Sequence, residues 1–140
     1  MVNAGTGCPS NPYTAEEIAD ANLRTLRRCL PVSVRTVNYL SGGQLLEDAA
    51  ARLDAINRLK AERGGAVYAP WNLSFSWSAA VQMPLFELCR DAALERDGAT
   101  GLPLKAIAAQ YVANLKIASD AAKGVLGDVR SDPPTKRAKR

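Results

Sequence analysis

Two strand-like segments separated by one helix-like segment are the feature that most constrains how this chain folds. Residues 71–77 alternate apolar and polar side chains, which is the period of two expected of a strand with one buried face. The apolar positions are Trp71, Leu73, Phe75 and Trp77. Residues 32–40 are rich in β-branched and aromatic types, and apolar spacing of three and four predicts a crossover helix over 44–63. Because strands joined through helices run parallel, the predicted fold class is α/β.

Helices are also predicted on both sides of this unit. Thr14 and Glu17 form a capping box ahead of an apolar stripe that Pro31 ends. A further helix is expected from about residue 83, and a long amphipathic helix runs over 103–124. Two strands make a poor parallel sheet, since both keep an open edge, so the pattern is typical of part of a larger architecture.

Composition excludes several classes of function. The chain has no histidine, which removes Ser-His-Asp triads and imidazole metal sites. Three distant cysteines without a C-x-x-C pair predict free thiols in a reducing compartment. The net charge is +4, but four of the positive residues lie within 136–140, so the body is neutral and is not a basic nucleic-acid binder. No leader or membrane span is expected.

One short motif carries chemistry. Leu40-Ser41-Gly42-Gly43-Gln44 matches the signature of ATP-binding cassette proteins in letters, but that interpretation requires a P-loop, which the chain lacks. The physical alternative is a strand–turn–helix anion site, where glycines let the backbone approach a phosphate and the serine adds a donor. The simpler alternative is that Ser41 caps the next helix, near Gln44, and that the glycines only form the turn.

Several patches in the same order resemble class I fructose-bisphosphate aldolases. The central ones are Tyr39 to Gln44, Leu53 to Asn57 and Pro70 to Trp77, and others lie within 1–8, 16–31 and 104–124. The resemblance implies the C-terminal part of a (β/α)8 TIM barrel: two parallel strands with crossover helices and a long C-terminal helix. It further implies a glycolytic lyase that cleaves fructose 1,6-bisphosphate through a Schiff base, in the cytoplasm, without a cofactor or metal.

The resemblance also assigns a substrate phosphate site. By position, Ser41, Gly42 and Gly43 hold one phosphate of the sugar, and Ser76 joins them from the last barrel strand. Barrels of this kind commonly bind phosphate with the loops after strands seven and eight.

The chain departs from the family pattern at its catalytic residues. The Schiff-base lysine would fall three residues before Met1, and Ser78 and Ala79 stand where the family has a small residue and a phosphate-gripping arginine. No catalytic residue is therefore predicted, and the chain alone is expected to be inactive. Three lysines at polar helical positions, Lys60, Lys105 and Lys116, are expected to be solvated.

Two alternatives to a sugar-phosphate protein follow from the same residues. A barrel fragment can be an interaction subunit, with a partner protein or a second copy covering its open edges. Residues 131–140 form a separate basic tail, distinct from a partial barrel domain at 1–130, and suggest a nuclear or nucleic-acid-associated protein.

Overall fold

The computed structural model describes residues 13–95 and 104–127. The described residues form helices and strands in the alternating order that the sequence predicts. These elements are α1 (Ala15–Cys29), β1 (Thr36–Leu40), α2 (Leu46–Glu62), β2 (Asn72–Ser76), α3 (Ala79–Glu95) and α4 (Leu104–Lys123).

Helix α1 begins with the predicted capping box. The backbone N–H of Glu17 donates to Oγ1 of Thr14 at 3.2 Å, and the N–H of Thr14 donates to Oε2 of Glu17 at 2.8 Å. One face of the helix is buried, and its buried apolar residues are Ile18, Ala19, Leu23 and Leu26. The helix ends where the backbone becomes extended at Leu30, directly before Pro31.

The two strands pair in parallel, as predicted. Their register places Leu40 opposite Ser76 at the carboxyl ends of the strands. Tyr39 and Leu73 are buried on the face that packs against the helices, whereas Asn38 is exposed on the other face. The period-two pattern of the sequence therefore separates a helix-covered face from an open, mostly polar face.

Helix α2 is the centre of the described structure, because α1 and α4 both pack against it. Leu53 and Ile56 are each 1% exposed within this core. The side chain of Asn57 connects this helix to its neighbours. Its Nδ2 donates to the carbonyl oxygens of Leu53, Leu73 and Ala121 at 3.2, 3.4 and 3.2 Å. A single amide thus links α2 with both β2 and α4.

The long C-terminal helix is confirmed with its predicted end. It stops at Lys123, and Gly124 follows with φ of +71°. A side chain at Gly124 would lie 3.1 Å from the backbone nitrogen of Arg58, so the close approach of this turn to α2 requires glycine. Beyond the turn, the N–H of Leu126 donates to the buried carboxylate of Asp54 at 2.9 Å.

The third helix begins earlier than the predicted start at Met83, and Pro84 lies inside it. Proline removes one backbone hydrogen bond from a helix interior. Burial of Ala80 and Val81 in a small cluster with Leu46 offsets that loss and extends the helix towards β2. The spacing of apolar residues did not predict this first turn of α3, because only Ala80 and Val81 are buried in it.

Two further expectations concern composition. Cys29 and Cys89 are free thiols, as predicted, and Cys8 lies outside the described residues. Within residues 13–95 and 104–127, no helix has the length and apolar character needed to cross a bilayer.

Candidate functional site

A tight turn follows β1 directly. The N–H of Gln44 donates to the carbonyl oxygen of Ser41 at 3.0 Å and closes the turn. Its two central residues, Gly42 and Gly43, have φ of +53° and +83°. These left-handed values strain any residue with a Cβ atom, so the turn depends on both glycines.

Ser41 does not cap the following helix, which corrects that prediction. Helix α2 begins at Leu46, and its N-cap is Leu45, which makes no side-chain cap bond. An N-cap side chain must stand immediately before the first helical residue. The glycine turn and Gln44 separate Ser41 from that position, so its hydroxyl has no helix amide to accept from.

The Ser41 side chain is instead a buried polar group. The residue is 6% exposed, and no other residue of the described ranges makes a hydrogen bond with its Oγ. A buried hydroxyl without a partner costs about 1–3 kcal/mol. The site therefore holds a donor whose hydrogen-bonding capacity the rest of the described protein does not use.

The parallel register brings the second predicted serine to the same edge of the sheet. Leu40 and Ser76 are opposite each other, so Ser41 follows the end of one strand and Ser76 ends the other. Ser76 is exposed on the open face. The indole Nε1 of Trp77 donates to the carbonyl oxygen of Tyr39 at 2.9 Å and ties the two strand ends together.

Sequence reasoning missed the polar side-chain contacts that support this turn. Tyr39 Oη and the side-chain amide of Gln44 lie 3.3–3.4 Å apart, and Nη1 of Arg52 donates to Oε1 of Gln44 at 2.5 Å. These residues lie in three different segments, so only the folded chain shows their contact. The contacts hold Gln44 in place and bring one guanidinium group beside the turn.

No cation stands at the position where the family pattern has arginine. Ala79 is the first residue of α3, three positions after Ser76, and it is exposed. The backbone thus leaves room there for a long side chain. The chain supplies only a methyl group there, and the loss of a charged phosphate contact stays a prediction.

The three helical lysines singled out from the sequence have other surroundings than this edge. Lys60 departs from its prediction, since its Nζ donates to the carbonyl oxygen of Trp71 at 2.6 Å and burial lowers its pKa. Trp71 precedes β2, so this amine lies at the amino end of the strand, away from Ser76. Lys116 bonds to Asp120 at 2.5 Å and Lys105 is exposed, as predicted for solvated lysines.

A metal centre is not formed by the residues whose positions are described. Among them, no group of three or more His, Cys, Asp or Glu side chains is arranged to hold an ion. The predicted site residues bring to this edge the hydroxyls of Ser41 and Ser76 and the backbone of the glycine turn.

Comparison with known protein families identifies the ancestry of this fold. The family model of fructose-bisphosphate aldolase class-I, a glycolytic family, matches residues 1–128. The chain belongs to this family. The sequence resemblance carried by the Ser-Gly-Gly turn and the Pro-Trp strand is thereby confirmed.

Individual aldolases match over shorter stretches. Over 82 residues the chain is 44% identical to fructose-bisphosphate aldolase of Lymnaea stagnalis, which covers 59% of this chain and 74% of that protein. Over 100 residues it is 39% identical to aldolase C-B of Danio rerio, covering 71% and 26%. Aldolase C of Homo sapiens is 46% identical over 82 residues, covering 59% and 21%.

A solved aldolase has the same architecture. The fructose-bisphosphate aldolase of Plasmodium falciparum, solved with TRAP and a small-molecule inhibitor, superposes with a TM-score of 0.65 at 28% identity. The match covers 89% of this chain and 31% of that one. The predicted partial TIM barrel is thus confirmed. The matches cover 21% to 31% of the aldolases of Homo sapiens, Danio rerio and Plasmodium falciparum.

The alternative functions gain no support from these comparisons. Each relative described above is an aldolase, and none points to a nuclear or nucleic-acid-associated protein. The basic tail at 131–140, on which that alternative rested, lies outside the described residues.

Proposed function

We propose that this chain forms the phosphate-binding end of an aldolase-type barrel and holds one phosphate of fructose 1,6-bisphosphate. The residues are Ser41, Gly42, Gly43 and Ser76. The observation that carries the proposal is the register of the sheet, which sets buried Ser41 and exposed Ser76 at the carboxyl edge of adjacent parallel strands. Ligands of α/β barrels bind at this edge.

The chemistry of the turn suits an oxyanion. Positive φ at both glycines lets the backbone pass close to a ligand where a Cβ would obstruct it. The Ser41 hydroxyl, which has no described protein partner, gains one when a phosphate oxygen accepts from it. Ser76 adds a second hydroxyl from β2. Without an arginine at Ala79, the proposed phosphate ligands are neutral donors, because the Arg52 guanidinium beside the turn donates to Gln44, and we expect millimolar affinity.

The proposal separates binding from catalysis. Cleavage through a Schiff base needs an amine near the substrate carbonyl, with a pKa low enough to attack. Lys60 has a lowered pKa but lies at the amino end of β2, and Lys116 is paired with Asp120 on the surface of α4. Neither of these two lysines lies beside Ser41 and Ser76, and we expect the chain to bind the sugar phosphate without cleaving it.

The strand edges and the open face of this partial barrel need further protein to cover them. Among the described residues, β1 and β2 pair with each other alone, and Leu40 is 55% exposed on the face turned away from the helices. A partner protein or a second copy that continues the sheet would bury this residue. It would also form hydrogen bonds with the backbone groups at the strand edges. Membership of a glycolytic family supports a cytoplasmic location, which we include in the proposal.

Titration with fructose 1,6-bisphosphate, followed by backbone NMR, tests the proposal. Binding at the proposed site shifts the amide resonances of residues 41–44 and 76, and Ser41→Ala weakens it severalfold. Ser33→Ala, which removes an exposed hydroxyl from the turn before β1, is the matched control and leaves the affinity unchanged. Shifts that avoid residues 41–44, or equal affinities in both variants, contradict the assignment.

A further inference from the structure

A second group of charged side chains lies at the opposite end of the sheet from Ser41. Helices α1 and α2 both end beside the amino ends of the strands, because each is followed by a strand. The arginine cluster gathers there from α1, from the end of α2 and from the turn before β2. Its members are Asp20, Arg24, Arg27, Arg63 and Tyr68.

Asp20 joins the two helices. Its Oδ2 accepts from Nε of Arg24 at 2.6 Å, and its Oδ1 lies 2.7 Å from Nη2 of Arg63. The hydrogen bond from Arg24, followed by that from Arg63, holds the pKa of Asp20 below its ordinary value. This carboxylate is therefore already engaged by two of the three guanidinium groups.

The side chain of Tyr68 contacts two of the arginines, Arg27 and Arg63. The guanidinium carbon of Arg27 lies 4.1 Å from the centroid of its ring, and that of Arg63 lies 5.6 Å away. Nη1 of Arg63 donates to the phenol oxygen at 3.0 Å. These contacts, the hydrogen bond from Arg63 first, lower the pKa of Tyr68. The phenol oxygen therefore lies where the guanidinium groups concentrate positive charge.

The cluster carries more positive than negative charge. Three guanidinium groups meet one carboxylate, and within the described ranges Arg27 forms no ion pair with an acidic side chain. Arginines near helix C-termini complement the helix dipole, which accounts for Arg27 on α1. The helix dipole does not explain why Arg63, at the end of α2, contacts the same Tyr68 ring as Arg27.

We propose that the arginine cluster is a second anion site, which binds the dianion of a phosphate monoester. Guanidinium groups present planar pairs of N–H donors that match phosphate oxygens. A monoester carries about −1.5 to −2 charges at neutral pH, which matches the excess of the cluster. The ring of Tyr68 provides an aromatic surface beside the ligand, and its hydroxyl provides a further donor.

The first test uses phenyl phosphate as the probe and the Tyr68 ring resonances as the readout, on the whole chain. Binding shifts these resonances, and phenyl sulfate, a monoanion with a similar shape, binds at least severalfold more weakly. Arg27→Gln weakens phenyl phosphate about tenfold. Arg90→Gln, which removes an exposed arginine paired with Asp91 on α3, is the control and has no effect.

Several outcomes would overturn the proposal. These are equal affinity in the Arg27 and Arg90 variants, equal affinity for phosphate and sulfate, and no shift of the Tyr68 ring. Ser41→Ala leaves this binding unchanged, so failure here is distinguishable from failure of the proposed sugar-phosphate site. Glycerol 3-phosphate and a phosphotyrosine peptide then distinguish the source of the ester, as tighter binding of one identifies a free metabolite or a phosphorylated protein.

Discussion

Restoring a positive charge at Ala79 should strengthen phosphate binding. Ala79 opens α3 three residues after Ser76, is exposed, and so accepts a longer side chain without loss of packing. In Ala79→Arg the guanidinium can reach a phosphate held at the carboxyl edge of the sheet. The gain is that of one charge-assisted hydrogen-bonded contact, about 1.5–3 kcal/mol.

That free energy converts into a dissociation constant lowered by about ten- to a hundredfold, because each 1.4 kcal/mol is a factor of about ten. The assay is an NMR titration with inorganic phosphate, in which the amides of residues 41–44 report on the site. Ala93→Arg is the control, since it adds the same charge to the same helix at an exposed position about 21 Å further along.

The reasoning fails if Ala79→Arg binds phosphate no more tightly than the parent chain. It also fails if Ala93→Arg gains as much, because the effect would then come from net charge alone. Either result would show that Ala79 does not correspond to the arginine of the family pattern.

Other predictions test catalysis and stability. The purified chain should neither cleave fructose 1,6-bisphosphate nor form a borohydride-trapped adduct with a triose phosphate, and a lysine adduct found by mass spectrometry would refute this. Thr14→Ala should lower the free energy of unfolding by about 1 kcal/mol in urea titrations, since it removes the α1 cap. Asn57→Ala should cost more, about 1–3 kcal/mol, because buried carbonyls lose their donor, and a smaller loss than in Thr14→Ala would contradict that role. The lowered pKa of Asp20 contributes stability above its unfolded pKa of about 3.9, and this is lost as the pH falls through the folded value. Asp20→Asn should therefore flatten the acid limb of the stability curve, and an unchanged limb would show that the ion pairs do not stabilise the fold.

Local patterns predicted the elements whose determinants are near in sequence. The capping box of Thr14 and Glu17 involves residues three apart, so the letters alone specify both hydrogen bonds. The alternation through β2 specifies which side chains face the helices. Parallel pairing followed from the helix between the strands, which must return the chain to the same edge. These parts of the fold needed no knowledge of tertiary contacts.

The features that sequence reasoning missed depend on contacts between distant segments. Whether Ser41 caps a helix is decided by where α2 begins, and packing of Leu46 with Val81 helps to fix that start. Lys60 has a polar helical position, yet its amine bonds to Trp71 beyond the next turn. The convergence of arginines on Tyr68 likewise joins three segments, which no periodicity could place together.

The turn after β1 and the end of β2 form the proposed phosphate site of this partial aldolase barrel. A crystal structure of the chain with fructose 1,6-bisphosphate tests it most directly. We expect one phosphate group against Gly43, with its oxygens within hydrogen-bond distance of the Ser41 and Ser76 hydroxyls. A sugar phosphate bound only at the arginine cluster, or at another surface with the Ser41 turn empty, would show that this edge of the sheet is not the phosphate site.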